Sequence, residues 1–125
     1  MSYQLKELES WKKARELRIL VSNYAKTLPS EEKFRLKDQI IRSSRSVAAN
    51  IAEGYGHYHY QENIQFCRLA RGSLFETEEH LICAKDENYI SQKRFEVIMY
   101  KIKECLKILN GYISYLKKQK VNVNN

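Results

Sequence analysis

The sequence predicts an all-α protein: an antiparallel up-down-up-down four-helix bundle, one domain spanning residues 1–125. Three observations carry this. Apolar residues recur at three- and four-residue spacing through four long segments, the period of one helical face. One proline and four glycines in 125 residues are too few for the turns of a β-rich chain. The breaks between periodic segments are short, which makes consecutive helices antiparallel neighbours.

The first helix is predicted over about 8–28, where Leu8, Trp11, Leu17, Leu20, Val21, Tyr24 and Leu28 fall on one face. Leu28 precedes the only proline, and that position is biased away from helical dihedrals, so a break is expected there. Ser30 is a good N-cap, and Glu31 and Glu32 suit the positive end of a helix dipole.

The second helix is therefore predicted over about 30–54. Phe34, Ile40, Ile41, Ser44, Val47, Ala48 and Ile51 form its inner stripe. Arg35, Arg42 and Arg45 stack along another edge as candidate phosphate contacts, although Asp38 stands four residues before Arg42, at ion-pair spacing. The helix ends in Val47-Ala48-Ala49-Asn50-Ile51-Ala52-Glu53-Gly54-Tyr55-Gly56, with strong helix formers giving way to glycines. Gly54 and Gly56 are free to take the positive φ of a helix C-terminus. Asn50 and Glu53, three apart, are expected to tie down this end and the turn after it.

That turn, Tyr55-Gly56-His57-Tyr58-His59-Tyr60-Gln61, is unusually aromatic. Tyr and His there suit packing, contacts between subunits or stacking on unpaired bases. The third helix is predicted over about 61–87, with Ile64, Cys67, Ala70, Leu74, Thr77, Leu81 and Ala84 inward. Gly72 within it costs up to about 1 kcal/mol relative to alanine, so with Ala70 and Ser73 it predicts close approach of the alanine-rich second helix. Arg68 and Arg71 lie on a different side, as phosphate ligands or as partners of Glu76 and Glu78.

Asn88-Tyr89-Ile90-Ser91 supplies the last turn: Asn88 tolerates the left-handed conformation, Ser91 caps, and Ile90 with Phe95 forms a hydrophobic staple. The fourth helix, about 91–118, turns Phe95, Ile98, Met99, Ile102, Leu106, Leu109, Ile113 and Leu116 inward. Tyr100, Ile108, Tyr112 and Tyr115 fall outside that stripe and predict a subunit interface, hence a homo-oligomer. The polar tail from Lys117 is expected to fray.

The net charge of +7 is unevenly placed, with 14 Lys and Arg against 13 Asp and Glu in residues 1–90 but 8 against 2 in residues 91–125. Such a segment attracts polyanions, RNA or DNA above all, or serves as a solvated face. Three cysteines, Cys67, Cys83 and Cys105, are an odd number and argue for a reducing compartment, so the cytoplasm is expected. The first residues lack a signal-peptide core and no uncharged run of 18 residues occurs, so neither secretion by that route nor a membrane span is expected.

Catalytic patterns are missing. A carboxylate-bridged di-metal site needs Glu-x-x-His on two helices, whereas Glu76 stands four residues before His80. His57 and His59 have no further ligand at metal spacing, and Gly54-Tyr55-Gly56 lacks the Lys-Ser/Thr of a phosphate loop. The chain is read as a non-enzyme with no cofactor and no metal.

Asn50-Ile51-Ala52-Glu53-Gly54, with Glu32-Lys33-Phe34 before it and Arg71-Gly72-Ser73-Leu74 and Glu76 after it, resembles the proteins encoded by intervening sequences of bacterial 23S ribosomal RNA genes. The resemblance runs from about Leu8 to Leu116. It implies a four-helix bundle assembled into a ring of five subunits, and association with ribosomal RNA. The chain departs from its relatives in two places. His57 to Tyr60 stand where relatives carry basic residues and a capping-box serine, leaving only Glu62 of that box, and Ala49 stands where proline and serine are common. The expected RNA contacts are Arg35, Arg42, Arg45, Arg68 and Arg71, with Lys117, Lys118 and Lys120 at the end. The competing expectation is an adaptor ring whose tyrosine-rich turn and fourth helix grip a protein partner, such as a nucleic-acid-processing enzyme.

Overall fold

The computed structural model describes residues 4–124. Its helices are α1 (Glu9–Ala25), α2 (Leu36–Tyr55), α3 (Tyr60–Asp86) and α4 (Gln92–Asn124), with 3-10 turns at Leu5–Glu7 and Ser30–Glu32. Among the described residues there is no strand.

Each helix packs against two others: α1 and α3 both lie against α2 and α4. The side-chain pairs run in opposite chain directions across three of the contacts. Ser46 pairs with Ser73 and Ser43 with Thr77, each at 2.9 Å, between α2 and α3. Gln61 meets Lys120 and Arg71 meets Asn110 between α3 and α4. Cys105 Sγ donates to the Lys13 carbonyl oxygen at 3.1 Å and Lys101 Nζ donates to Glu16 at 2.7 Å between α1 and α4. These pairings are antiparallel.

The core is built from the faces that periodicity selects. Leu17, Val21 and Tyr24 from α1, Ile40, Val47 and Ile51 from α2, Ile64, Leu74 and Leu81 from α3, and Ile98, Ile102 and Leu109 from α4 are fully buried. Burying each large apolar side chain contributes about 1.5–3 kcal/mol. All seven inward positions expected on α3 are buried. Asn88 takes φ 61°, Ser91 Oγ accepts the Arg94 N–H at 3.2 Å, and Ile90 is buried, so the last turn forms as its residues dictate.

The structure corrects several expectations. Helix α2 begins at Leu36, because Arg35 (φ −122°, ψ −109°) interrupts the helix after the 3-10 turn. Glu32 then caps it, Oε2 accepting the Leu36 N–H at 3.1 Å, and Ser30 caps nothing. Phe34 therefore lies outside the helical period and is 85% exposed. Gly54 and Gly56 take no positive φ; Gly56 closes α2 in right-handed conformation, its N–H shared by the carbonyls of Ala52 and Glu53. Close approach occurs at Gly54 and not at Gly72. A Cβ on Gly54 would lie 2.6 Å from Asn63 Oδ1, whereas one on Gly72 would meet nothing within 4 Å. Ser73 does join α2, through its hydroxyl bond to Ser46. Asn50 turns back along its own helix, its amide donating to Ser46 O and Oγ at 2.9 Å, so only Glu53 reaches the following turn. Helix α4 continues to Asn124 where fraying was expected, and α2 runs unbroken through Ala49.

Candidate nucleic-acid interface

One end of the bundle gathers the start of the described chain, the α2–α3 turn and the last turns of α4. The turn is fixed by His57. Its Nδ1 lies 2.5 Å from Glu62 Oε2, its Nε2 lies 4.0 Å from Glu53 Oε1, and its ring stacks on Phe66 at 5.1 Å. The glutamate left over from the capping box thus acquires the histidine as its partner. Beyond this anchor Tyr58 projects fully exposed.

Helix α4 brings Tyr112 and Tyr115 to the same place, their rings stacked at 6.3 Å and 13°. Tyr112 Oη accepts from Asn63 Nδ2 at 3.0 Å, and Asn63 Oδ1 accepts the Cys67 thiol at 3.5 Å. Asn63 is a buried polar residue that satisfies both sides of its amide, which locks the tyrosine pair to α3. A groove of about 460 Å³ results, lined by Tyr55, His57, Tyr58, Tyr60, Tyr112 and Tyr115 among others. Tyr58, His59 and Tyr60 also border a neighbouring groove of about 340 Å³ with Gln61 and Lys120. Gln61 and Lys120 in turn border a third, of about 290 Å³, with Arg68 and Lys117. The three grooves form one continuous strip, aromatic at one side and cationic at the other.

Of the eight cationic residues expected to bind phosphate, the structure brings Arg68, Lys117 and Lys120 into this strip. Arg71, on the same pair of helices, donates from Nη1 to Asn110 Oδ1 at 2.9 Å. Lys118 is exposed on the same turn of α4 without lining the groove. Arg35 precedes α2 at the opposite end of the bundle, and Arg45 is exposed along α2. Arg42 lies 3.5 Å from Asp38, as its spacing predicts, and borders a separate groove of about 470 Å³ with Gln39, Ser46, Glu76 and His80.

Asn63 lies outside the residues that the sequence singles out for this site. Its signal was present: continuing the inward stripe of α3 one turn back from Cys67 lands on it, an amide on an otherwise apolar face.

Burial pushes the Cys67 and Cys105 thiols up to about 12, so neither is a ready nucleophile. Among the described residues no group of three or more His, Cys, Asp or Glu is placed to hold a metal ion. None of the described helices is long and apolar enough to cross a membrane.

Comparison with known families places this arrangement. The family model of the 23S rRNA-intervening sequence protein matches residues 6–111. The chain belongs to that family. Among solved structures, a protein of unknown function from the S23 ribosomal protein family of Bacteroides thetaiotaomicron is similar with a TM-score of 0.78 and 29% identity, covering 84% of this chain and 95% of its own. No curated protein matches the chain. The family match covers every helix but the end of α4, so Lys117, Lys118 and Lys120 lie beyond the matched residues, while Arg68 and the tyrosine turn lie within them.

Proposed function

We propose that this intervening-sequence protein is a non-enzymatic, cytoplasmic RNA-binding protein that associates with ribosomal RNA as a homo-oligomeric ring. The observation that carries the reading is the convergence of Arg68, Lys117 and Lys120 on one groove beside the tyrosine-rich turn. Cations from two helices held along a groove neutralise phosphates in register, and the excess positive charge of residues 91–125 raises the local concentration of polyanion. The family's connection with 23S rRNA points to RNA as that polyanion. Binding of this kind is mainly to phosphate, weakly sequence-specific and steeply salt-dependent.

Fluorescence anisotropy with a 23S rRNA fragment, repeated at rising salt, tests it. Log affinity is expected to fall linearly with log salt, and Lys117→Ala and Lys120→Ala each to reduce the slope by about 1. No binding at low salt, or binding that salt leaves unchanged, would overturn the reading.

Ring assembly is supported by the large apolar side chains left outside the core. Phe75 and Ile82 stand seven apart on α3, and Val97 and Tyr100 three apart on α4; Tyr100 is 69% exposed. Such stripes are covered when copies of a chain associate.

A further inference from the structure

We infer that the aromatic end of the strip is a stacking site for unpaired nucleobases, so that the RNA taken by this protein is single-stranded where it crosses the α2–α3 turn. This rests on the RNA-binding reading and names the form of RNA. Three features of the structure lead to it.

The first is that Tyr58 and Tyr115 are surplus to the fold, whereas Tyr55, Tyr60 and Tyr112 pack against the core. The core is closed by aliphatic residues of the four helices and by Tyr24. Tyr58 is fully exposed and Tyr115 is 54% exposed, so their rings present faces to solvent. An exposed aromatic ring on a turn gains nothing for folding and offers a flat surface of the size of a base.

The second is that the platform is held in place. His57 is clamped between Glu53 and Glu62 and stacked on Phe66, which fixes the turn one residue before Tyr58. Tyr115 is stacked on Tyr112, whose hydroxyl is bound by the buried amide of Asn63. Tyr115 is thus an oriented ring that loses little conformational freedom on binding, and Tyr58 rides on a fixed stretch of backbone where the same ring on a loose tail would not. The groove between them, about 460 Å³, falls within the ~300–1,000 Å³ range of small-ligand sites and admits a base on its edge or face.

The third is the order of chemistry along the strip. Moving from Tyr58 and Tyr60 past Gln61 to Lys120, Lys117 and Arg68, the surface changes from π faces to an amide to cations. A single strand presents the same sequence of groups, bases on one side and phosphates on the other, whereas a duplex hides its base faces between stacked pairs and offers phosphates, 2′-hydroxyls and groove edges. Gln61 sits at the junction, with its carbonyl oxygen accepting from Lys120 Nζ. An apolar peptide would use the tyrosines but leave the flanking cations unmatched.

The experiment uses the full chain and three probes: an unstructured oligouridylate of about 12 nucleotides, a base-free ribose-phosphate strand of the same length and charge, and a blunt RNA duplex of about 12 base pairs, which carries about twice that charge. The unsubstituted protein is expected to prefer the oligouridylate to the base-free strand. Tyr58→Ala, at a fully exposed position, is expected to weaken oligouridylate binding by about 5- to 150-fold and to leave duplex and base-free binding unchanged. Tyr58→Phe, which keeps the ring, is expected to restore affinity. Equal affinity for the strands with and without bases, or an unchanged oligouridylate affinity in Tyr58→Ala, overturns the stacking site while leaving phosphate binding intact. Failure of all three probes to bind overturns the RNA reading itself. Loss of affinity for all three in Tyr58→Ala also overturns the inference, because a stacking residue cannot act on a strand without bases. A prey protein captured on Tyr60 and Tyr115 that competes with none of the probes would assign the groove to a protein partner in place of RNA.

Discussion

An ideal Cβ on Gly54 would lie 2.6 Å from Asn63 Oδ1 and 2.9 Å from Phe66 Cβ, while the same atom on Gly72 would meet open space. These two glycines respond oppositely to alanine. Gly54→Ala is expected to destabilise the bundle by about 1–3 kcal/mol, because α3 must retreat and the Asn63 bond to Tyr112 is strained with it. Gly72→Ala is expected to stabilise by up to about 1 kcal/mol, since it removes backbone freedom from an exposed helical position at no steric cost. Urea denaturation of the two variants checks both signs. The sequence marks each position as small but cannot say which faces a neighbour, because the facing depends on the crossing of α2 and α3. The thiols separate in the same local way. Cys67 and Cys105 are buried and Cys83 is exposed, so a thiol reagent is expected to label one cysteine of the native chain and all three on denaturation. Labelling at Cys83 is expected to be slow, since desolvation and the carboxylate of Glu87 raise its thiol above the ordinary value.

At the scale of elements, α1 and α4 are joined by an ion cluster in which Lys101 Nζ lies 2.6 Å from Glu104 and 2.7 Å from Glu16, with Lys13 nearby. The hydrogen bond from Lys101 holds the Glu16 carboxyl below its ordinary 4.5. A carboxylate depressed in the folded state contributes stability that is complete above its unfolded value and is lost as pH falls through the folded one. Thermal unfolding of the native chain is therefore expected to move to lower temperature as pH drops below about 4.5, and Lys101→Met to flatten that dependence and cost roughly 1 kcal/mol at neutral pH. The sequence gives both residues as ordinary helix charges 85 positions apart, and only the antiparallel pairing brings them together. The helices themselves were far more legible. On α3, where no break interrupts the period, every expected inward residue is buried. At the start of α2 the same reasoning failed for Phe34, because the period was carried through a 3-10 turn that local composition did not announce. The hydroxyl contacts of Ser43 with Thr77 and Ser46 with Ser73 were half visible, since Thr77 was placed inward and its partner was not.

At the scale of the whole molecule, the candidate site illustrates what one-dimensional reading can and cannot join. The turn tyrosines, the arginines of α3 and the terminal lysines were each legible from residue type, but their assembly into one strip depends on α4 continuing as helix past Lys120 to Asn124. Had the tail frayed from Lys117, its cations would be tethered loosely and Gln61 would have no partner. The same continuation bears on assembly. Phe75 (53% exposed), Val97 (50%) and Tyr100 (69%) lie on the long helices α3 and α4, away from the strip at the end of the bundle, so copies can associate through the flanks and leave their ends open to RNA. Several moderate phosphate patches carried on one ring would then act together, each raising the effective concentration of the next. Light scattering is expected to give a mass well above the 14.9 kDa of one chain, near 75 kDa for a ring of five. Tyr100→Glu is expected to lower that mass toward 14.9 kDa without loss of helix signal, because a buried unpaired carboxylate is costly at an interface and harmless on a free surface. RNA affinity should fall with the mass while the slope per chain against salt stays the same, since each copy keeps its own Arg68, Lys117 and Lys120. A native chain that scatters as a 14.9 kDa particle in dilute solution would remove the ring and leave each strip to bind alone.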